Sequence, residues 1–121
     1  MTTLEVGKRL VELCKQGKTD QCYEQLYAND IVSIEAAGGP NNPAEQRGKQ
    51  AIMGKSKAWR ESTETHSVTV EGPWPHGDQF IVRFKFDQTS KKDGKRQTLD
   101  ETALYTVKND KIVREEFFYL S

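Results

Sequence analysis

The chain has few cysteines, few histidines and no excess charge of either sign. Its two cysteines, Cys14 and Cys22, have neither CxxC spacing nor a histidine cluster nearby, which argues against a zinc site or a dithiol redox motif. They read as small buried hydrophobes in a reducing compartment. His66 and His76 are the only histidines, and no HxH or HxxxH spacing joins them, so neither a metal nor a cofactor is expected. Eighteen Lys and Arg residues balance eighteen Asp and Glu residues, so no net field recruits nucleic acid or an anionic membrane surface. The densest basic stretch, Lys91, Lys92, Lys95 and Arg96, flanks the hairpin dipeptide Asp93-Gly94 without interleaved aromatics and reads as turn charge. No apolar run approaches the ~20 residues of a membrane span, and MTTLEVGKRL lacks the apolar core of a signal peptide, so a cytoplasmic protein is expected. Neither GK[ST] nor GxSxG occurs, which removes the phosphate loop and the serine nucleophile elbow.

What the chain does have is alternation. From Asp78 to Phe86, DQFIVRFKF, the residues Phe80, Val82, Phe84 and Phe86 alternate with Ile81, Arg83 and Lys85, the pattern of a long strand with one buried face. Thr98 to Val107 and Lys111 to Leu120 repeat it after short polar turns, so the second half reads as an antiparallel meander. With 121 residues, five Phe, four Tyr and two Trp, one globular domain covering residues 1–121 is expected.

The first half is helical. Thr2 with Glu5 forms a capping-box pattern ahead of Leu4, Val6, Leu10, Leu13 and Cys14, and Gly17 is a natural stop. Thr19-Asp20 can cap a second short helix with Cys22, Tyr23, Leu26 and Tyr27 inward. Ile31 to Glu35 suits a strand, and Ala36 to Gln46, with Gly-Gly-Pro and Asn-Asn-Pro, reads as a mobile rim loop. Gly48 to Ser62 resumes helical spacing through Ile52, Ser56 and Trp59, with Ala51, Lys55 and Ala58 beside them. In Glu64 to Gly72 the residues His66, Val68 and Val70 share one strand face. The following Pro73-Trp74-Pro75-His76-Gly77 reads as a hairpin tip without ladder pairing.

This order, together with Leu26-Tyr27-Ala28-Asn29-Asp30 leading into Ile31 to Glu35, the helix start Arg47 to Ile52 and the closing Asn109 to Tyr119, resembles the nuclear transport factor 2-like superfamily. The resemblance covers nearly the whole chain and is closest to the SnoaL-like proteins, related to ketosteroid isomerase. It implies an α+β, cystatin-like fold: a cone-shaped curved antiparallel sheet wrapped around about three N-terminal helices, with an apolar pocket at the open end. It also implies a small apolar, polyketide-like or steroid-like ligand and a homodimer through the sheet. The outer sheet face offers Ile81, Leu104 and Phe118 for that contact.

By the same resemblance Glu35 falls at the general-base position at the end of the first strand. Leu10, Val11 and Leu13 stand where ketosteroid isomerase carries an inward tyrosine, and Ala103 where it carries a protonated aspartate. Glu101 and His66 are the substitute acids, with Glu101 pairing to Lys85 or Arg83 as the structural alternative. Aligning Lys111 and Ile112 with the family's final turn puts Glu115, Phe117 and Tyr119 inside, which makes Glu115 a second candidate acid opposite Glu35, and a one-residue slip would exchange Glu115 for Glu116. Tyr105 and Tyr119 would orient a ligand, and Trp59, Phe84 and Phe117 would form the apolar wall. Dimerisation or partner binding without catalysis is the competing function class.

Overall fold

The computed structural model describes residues 1–36 and 44–119, and its first helix begins where the sequence supplies a start signal. Helix α1 (Thr3–Lys15) opens on the capping box. Thr2 Oγ1 accepts the Glu5 amide at 3.1 Å, and Glu5 Oε1 accepts the Thr2 amide at 3.0 Å. Its inner stripe buries Val6, Leu10, Val11 and Leu13, whereas Leu4 stays exposed. Gly7 lies on the same side, where a Cβ would come within 2.8 Å of Pro73, so a bare backbone lets α1 rest directly on the sheet. Helix α2 (Thr19–Leu26) starts one residue earlier than its expected cap. Lys18 occupies the N-cap without a side-chain bond, and Thr19 lies inside the helix with its hydroxyl buried and unbonded. Helix α3 (Lys49–Ser62) starts after Gly48, whose φ of 97° favours glycine, and buries only Ile52, as its weak stripe requires.

Six strands follow the expected order with one addition: β1 (Tyr27–Ile34), β2 (Glu45–Arg47), β3 (Thr63–His76), β4 (Gln79–Ser90), β5 (Arg96–Lys108) and β6 (Lys111–Phe118). They form one curved, unclosed sheet in the order β2-β1-β6-β5-β4-β3. Strands β3 to β6 are the antiparallel meander. The sheet as a whole is mixed rather than antiparallel, because the meander returns to the first strand in the same sense and β6 pairs with β1 in parallel. Strand β2, paired antiparallel to β1, occupies the end of the segment expected to be loop. The Gly-Gly-Pro and Asn-Asn-Pro part of that expectation lies outside the described residues.

A second correction concerns the expected hairpin tip. Strand β3 runs through it, with Trp74 opposite Ile81, Pro75 opposite Phe80 and His76 opposite Gln79, after a register shift between Glu71 and Trp74. Two features accommodate the prolines: the shift itself, and the position of β3 at the edge of the sheet, where a missing N–H costs fewest ladder bonds. No described helix is long and apolar enough to cross a membrane.

The core fills the space between α1, α2 and the concave face of the sheet. Val6, Leu10, Leu13, Leu26, Ile31, Phe80, Val82 and Ile112 are each at most 1% exposed there, and Phe80 stacks on Tyr105 at 4.9 Å. The three helices do not cover the whole concave face.

Candidate functional site

Beyond the packed core a cavity of about 390 Å³ remains between the helices and the inner faces of β1, β4, β5 and β6. Strand register decides which side chains reach it. In one cross-strand row Phe80, Tyr105, Glu115 and Ser33 stand side by side. In the next, Val82 faces Ala103 and Ala103 faces Phe117, with Glu35 just past the end of β1. In the third, Phe84 faces Glu101, and Tyr119 follows the end of β6. Period-two alternation therefore delivers Glu35, Glu101, Glu115, Tyr105, Phe117 and Tyr119 to one hollow, and α3 adds Trp59. Free Cys14 and Cys22 line its helical side.

Glu115 is 2% exposed. Tyr27 donates its hydroxyl to Oε2, and Ser33 Oγ donates to Oε1 at 2.8 Å. Burial pushes the carboxyl up to about 7, and the Glu35 charge adds to this. The two hydroxyl bonds and Lys55 pull the other way. The register question closes with Glu115 inside. Glu116 points away and accepts a bond from Arg114 at 2.7 Å.

Glu35 is half-buried and held from two sides. Lys55 Nζ donates to Oε1 at 2.7 Å, and the Tyr119 hydroxyl donates to Oε2 at 3.0 Å. Glu101, also half-buried, has no hydrogen bond or ion pair among the described residues. Burial, then the charges of Glu35 and Glu115, push it up to about 7 against the pull of Lys55. Its alternative partner Arg83 binds Asp100 instead, at 2.7 Å and 3.1 Å. Asp100 lies on the outer face, and adjacent strand residues point to opposite sides. Tyr105 is 2% exposed, and its hydroxyl makes no hydrogen bond among the described residues. Burial raises its pKa well above the usual phenol value, so it remains a donor.

The structure does not bring His66 to this group. A register shift between Thr65 and Ser67 takes His66 out of the alternation that otherwise continues through Val70. Its Nε2 lies 2.7 Å from Thr89 Oγ1 on the exposed part of the sheet. Three residues that the sequence reading left out complete the site: Tyr27, Ser33 and Lys55. Ser33 and Glu35 alternate on β1, so the signal for Ser33 was present. Lys55 follows Ile52 by three residues on the inward side of α3. Tyr27 kept helical spacing with Tyr23 and was assigned to α2. Among the described residues no group of three or more His, Cys, Asp or Glu is placed to hold a metal ion.

A family model described as a SnoaL-like domain matches residues 1–119. A crystal structure from Mesorhizobium loti, described as a candidate SnoaL-like polyketide cyclase with carbohydrate phosphatase given in brackets, is similar at 50% identity. It covers 98% of this chain and 100% of that one with a TM-score of 0.93. An NTF2-like protein from Burkholderia thailandensis shares the fold at 18% identity, with 99% and 92% of the two chains covered and a TM-score of 0.84. A candidate isomerase from Bacillus subtilis does so at 16% identity, with 99% and 90% covered and a TM-score of 0.80. Comparison with curated proteins gave no match.

Proposed function

The chain belongs to the SnoaL-like domain family, and from that premise we propose that its cavity binds a small, mainly apolar carbonyl compound and moves a proton on it without a cofactor. The reaction would be of the isomerase, cyclase or hydratase type. One observation carries this reading: a carboxylate oriented by two donors, Glu35, shares an apolar cavity with a buried acid, Glu115, and an unpaired hydroxyl, Tyr105. Glu35 takes a proton from the carbon next to the carbonyl, and the electron pair of the broken C–H bond moves onto the carbonyl oxygen. Tyr105 donates a hydrogen bond to that oxygen. Glu115, with a pKa near the working pH, returns a proton, a service that contributes about 10²- to 10⁴-fold in rate. Glu101 and Tyr119 orient the ligand at the other end. A phosphate ester is a poor occupant, since its dianion would meet three carboxyl groups while Lys55 is already paired.

The test is deuterium exchange. Enolisable ketones such as 2-tetralone are incubated with the protein in D₂O, and loss of the α-proton signal is followed by NMR. Glu35→Gln is expected to slow the exchange by roughly 100-fold. Equal rates for parent and variant would remove Glu35 from the mechanism.

A second reading rests on the convex face. Trp74, Ile81 and Leu104 form one cross-strand row and Phe118 lies in the next, with Trp74, Ile81 and Phe118 exposed by 52%, 38% and 53%. We propose that a second copy of the chain covers this face. Ile81→Lys would then halve the mass measured by light scattering, and a parent that is monomeric at all concentrations would end this reading.

A further inference from the structure

Of the three carboxyl groups in the cavity, two have their partners within the protein. Glu35 holds Lys55 and Tyr119, and Glu115 holds Tyr27 and Ser33. Among the described residues Glu101 has none, and the cations lining the cavity are both paired elsewhere. Lys55 is bound to Glu35, and Arg60 at the rim binds Asp20 at 3.0 Å. An unpaired carboxyl facing an apolar hollow is unfavourable by itself and calls for a partner from outside.

The surroundings of Glu101 state what charge that partner carries. Phe84 lies directly opposite on β4 and stacks with Phe86 at 6.0 Å and 9°, and Phe86 meets the Trp59 ring edge-on at 5.6 Å. Aromatic rings lining the same hollow as a carboxylate favour a cation, and an organic ammonium uses both. Tyr105, 2% exposed and lining the same cavity, is a second polar side chain whose hydroxyl has no hydrogen-bond partner among the described residues. It follows Glu101 by four residues along β5, which separates the two backbones by about 13 Å. A ligand occupying the cavity therefore meets an unpaired hydroxyl at one end and an unpaired carboxyl at the other.

We infer that the cavity takes a ligand carrying an amine, its ammonium held by Glu101 among the Phe84, Phe86 and Trp59 rings while the reacting carbonyl lies at Tyr105. This rests on the proton-transfer reading of the same cavity and adds the substrate class. It makes Glu101 the specificity-determining residue.

Proton linkage follows from the groups that face Glu101: Glu35 from β1, Glu115 and Tyr119 from β6 and its end, Lys55 from α3 and Tyr105 from β5. An ammonium binds the ionised carboxyl, so its affinity rises with pH up to about 7 and levels off above. A neutral ligand accepting a bond from the protonated carboxyl would show the opposite trend.

The experiment compares three probes of one skeleton by calorimetry at pH 6 and pH 8: 4-phenylbutylamine, 4-phenyl-1-butanol and 4-phenylbutanoate. The amine is expected to bind the parent roughly tenfold more tightly than the alcohol at pH 8, with the carboxylate weakest. That affinity falls about tenfold at pH 6, where only a tenth of Glu101 is ionised. Glu101→Gln brings amine and alcohol within about twofold of each other. The pH profile of the parent stands as a test even if the variant folds poorly. Equal binding of amine and alcohol by the parent, or an amine preference that survives Glu101→Gln, overturns the inference. Deuterium exchange on 2-tetralone without any amine preference overturns the amine alone, whereas no exchange and no binding of any probe overturns the proton-transfer reading with it.

Discussion

Lys55 Nζ lies 2.7 Å from Glu35 Oε1, so one helical turn of α3 is tied to the end of β1 at the place where the cavity needs an oriented carboxylate. The pair is mostly shielded, with 27% and 19% of the two side chains exposed. Removing one partner of such a pair leaves the other poorly solvated. Lys55→Met is therefore expected to lower stability by about 1–2 kcal/mol in urea denaturation. Lys55 acts through Glu35, so the variant should lower kcat for α-proton exchange more than it changes KM, and Lys55→Arg should recover part of the loss. A change confined to KM would place Lys55 in ligand binding instead.

Glu115 makes stability depend on pH in a direction opposite to that of most surface carboxylates. Its pKa stands at about 7 in the folded chain against an ordinary 4.5, so between these values the folded state holds a proton that the unfolded chain has released. Stability falls as pH rises through that window, by roughly 3 kcal/mol for this one group, and is level outside it. Unfolding midpoints in urea from pH 4 to pH 8 measure the slope, and Glu115→Gln should reduce it while leaving the part that Glu101, also raised to about 7, contributes.

The Tyr27 hydroxyl donates to Glu115 and favours its ionised form. Tyr27→Phe keeps the ring in the core, where it is 3% exposed, but deletes that donor. The carboxyl should move further up, and stability at pH 8 should fall by about 1–3 kcal/mol. The loss at pH 5, where Glu115 is already protonated, should be smaller. Equal losses at the two pH values would show that Tyr27 contributes packing only.

His66 supplies a control. Its ring meets Thr89 outside the cavity, so His66→Ala should change stability by no more than about 0.5 kcal/mol and leave α-proton exchange as it is. A large fall in exchange would put a second acid on β3.

Residues whose side is set by their immediate neighbours were legible in the sequence. Alternation along Phe80, Val82 and Phe84 gave β4 its inner face, whereas in β6 alternation alone left Glu115 and Glu116 exchangeable by a one-residue slip, and pairing with β5 turns Glu115 inward. Thr2 and Glu5 marked the start of α1 because a capping box is a local bond. What stayed hidden depends on distant segments meeting. Ser33 is 82 residues from the carboxylate it serves and Tyr27 is 88, and no local pattern reports such a bond. His66 was misplaced for a related reason: the register shift at Thr65 arises from pairing with β4 and leaves no mark in the composition of β3. Lys55 stands beside the Ile52, Ser56 and Trp59 stripe in the sequence, and its role comes from the end of β1 lying across from it.

Because β6 lies between β1 and β5, a strand made after the other five is the one that joins the two parts of the sheet. Among the described residues only β6 carries ladders to both β1 and β5, so without it β2 with β1 and β5 with β4 and β3 share no strand pairing. Closing that gap requires contact across more than half of the polypeptide, a slow step of high contact order. The acid that Tyr27 and Ser33 are built to receive arrives in that same strand, so folding and the arming of the cavity finish together.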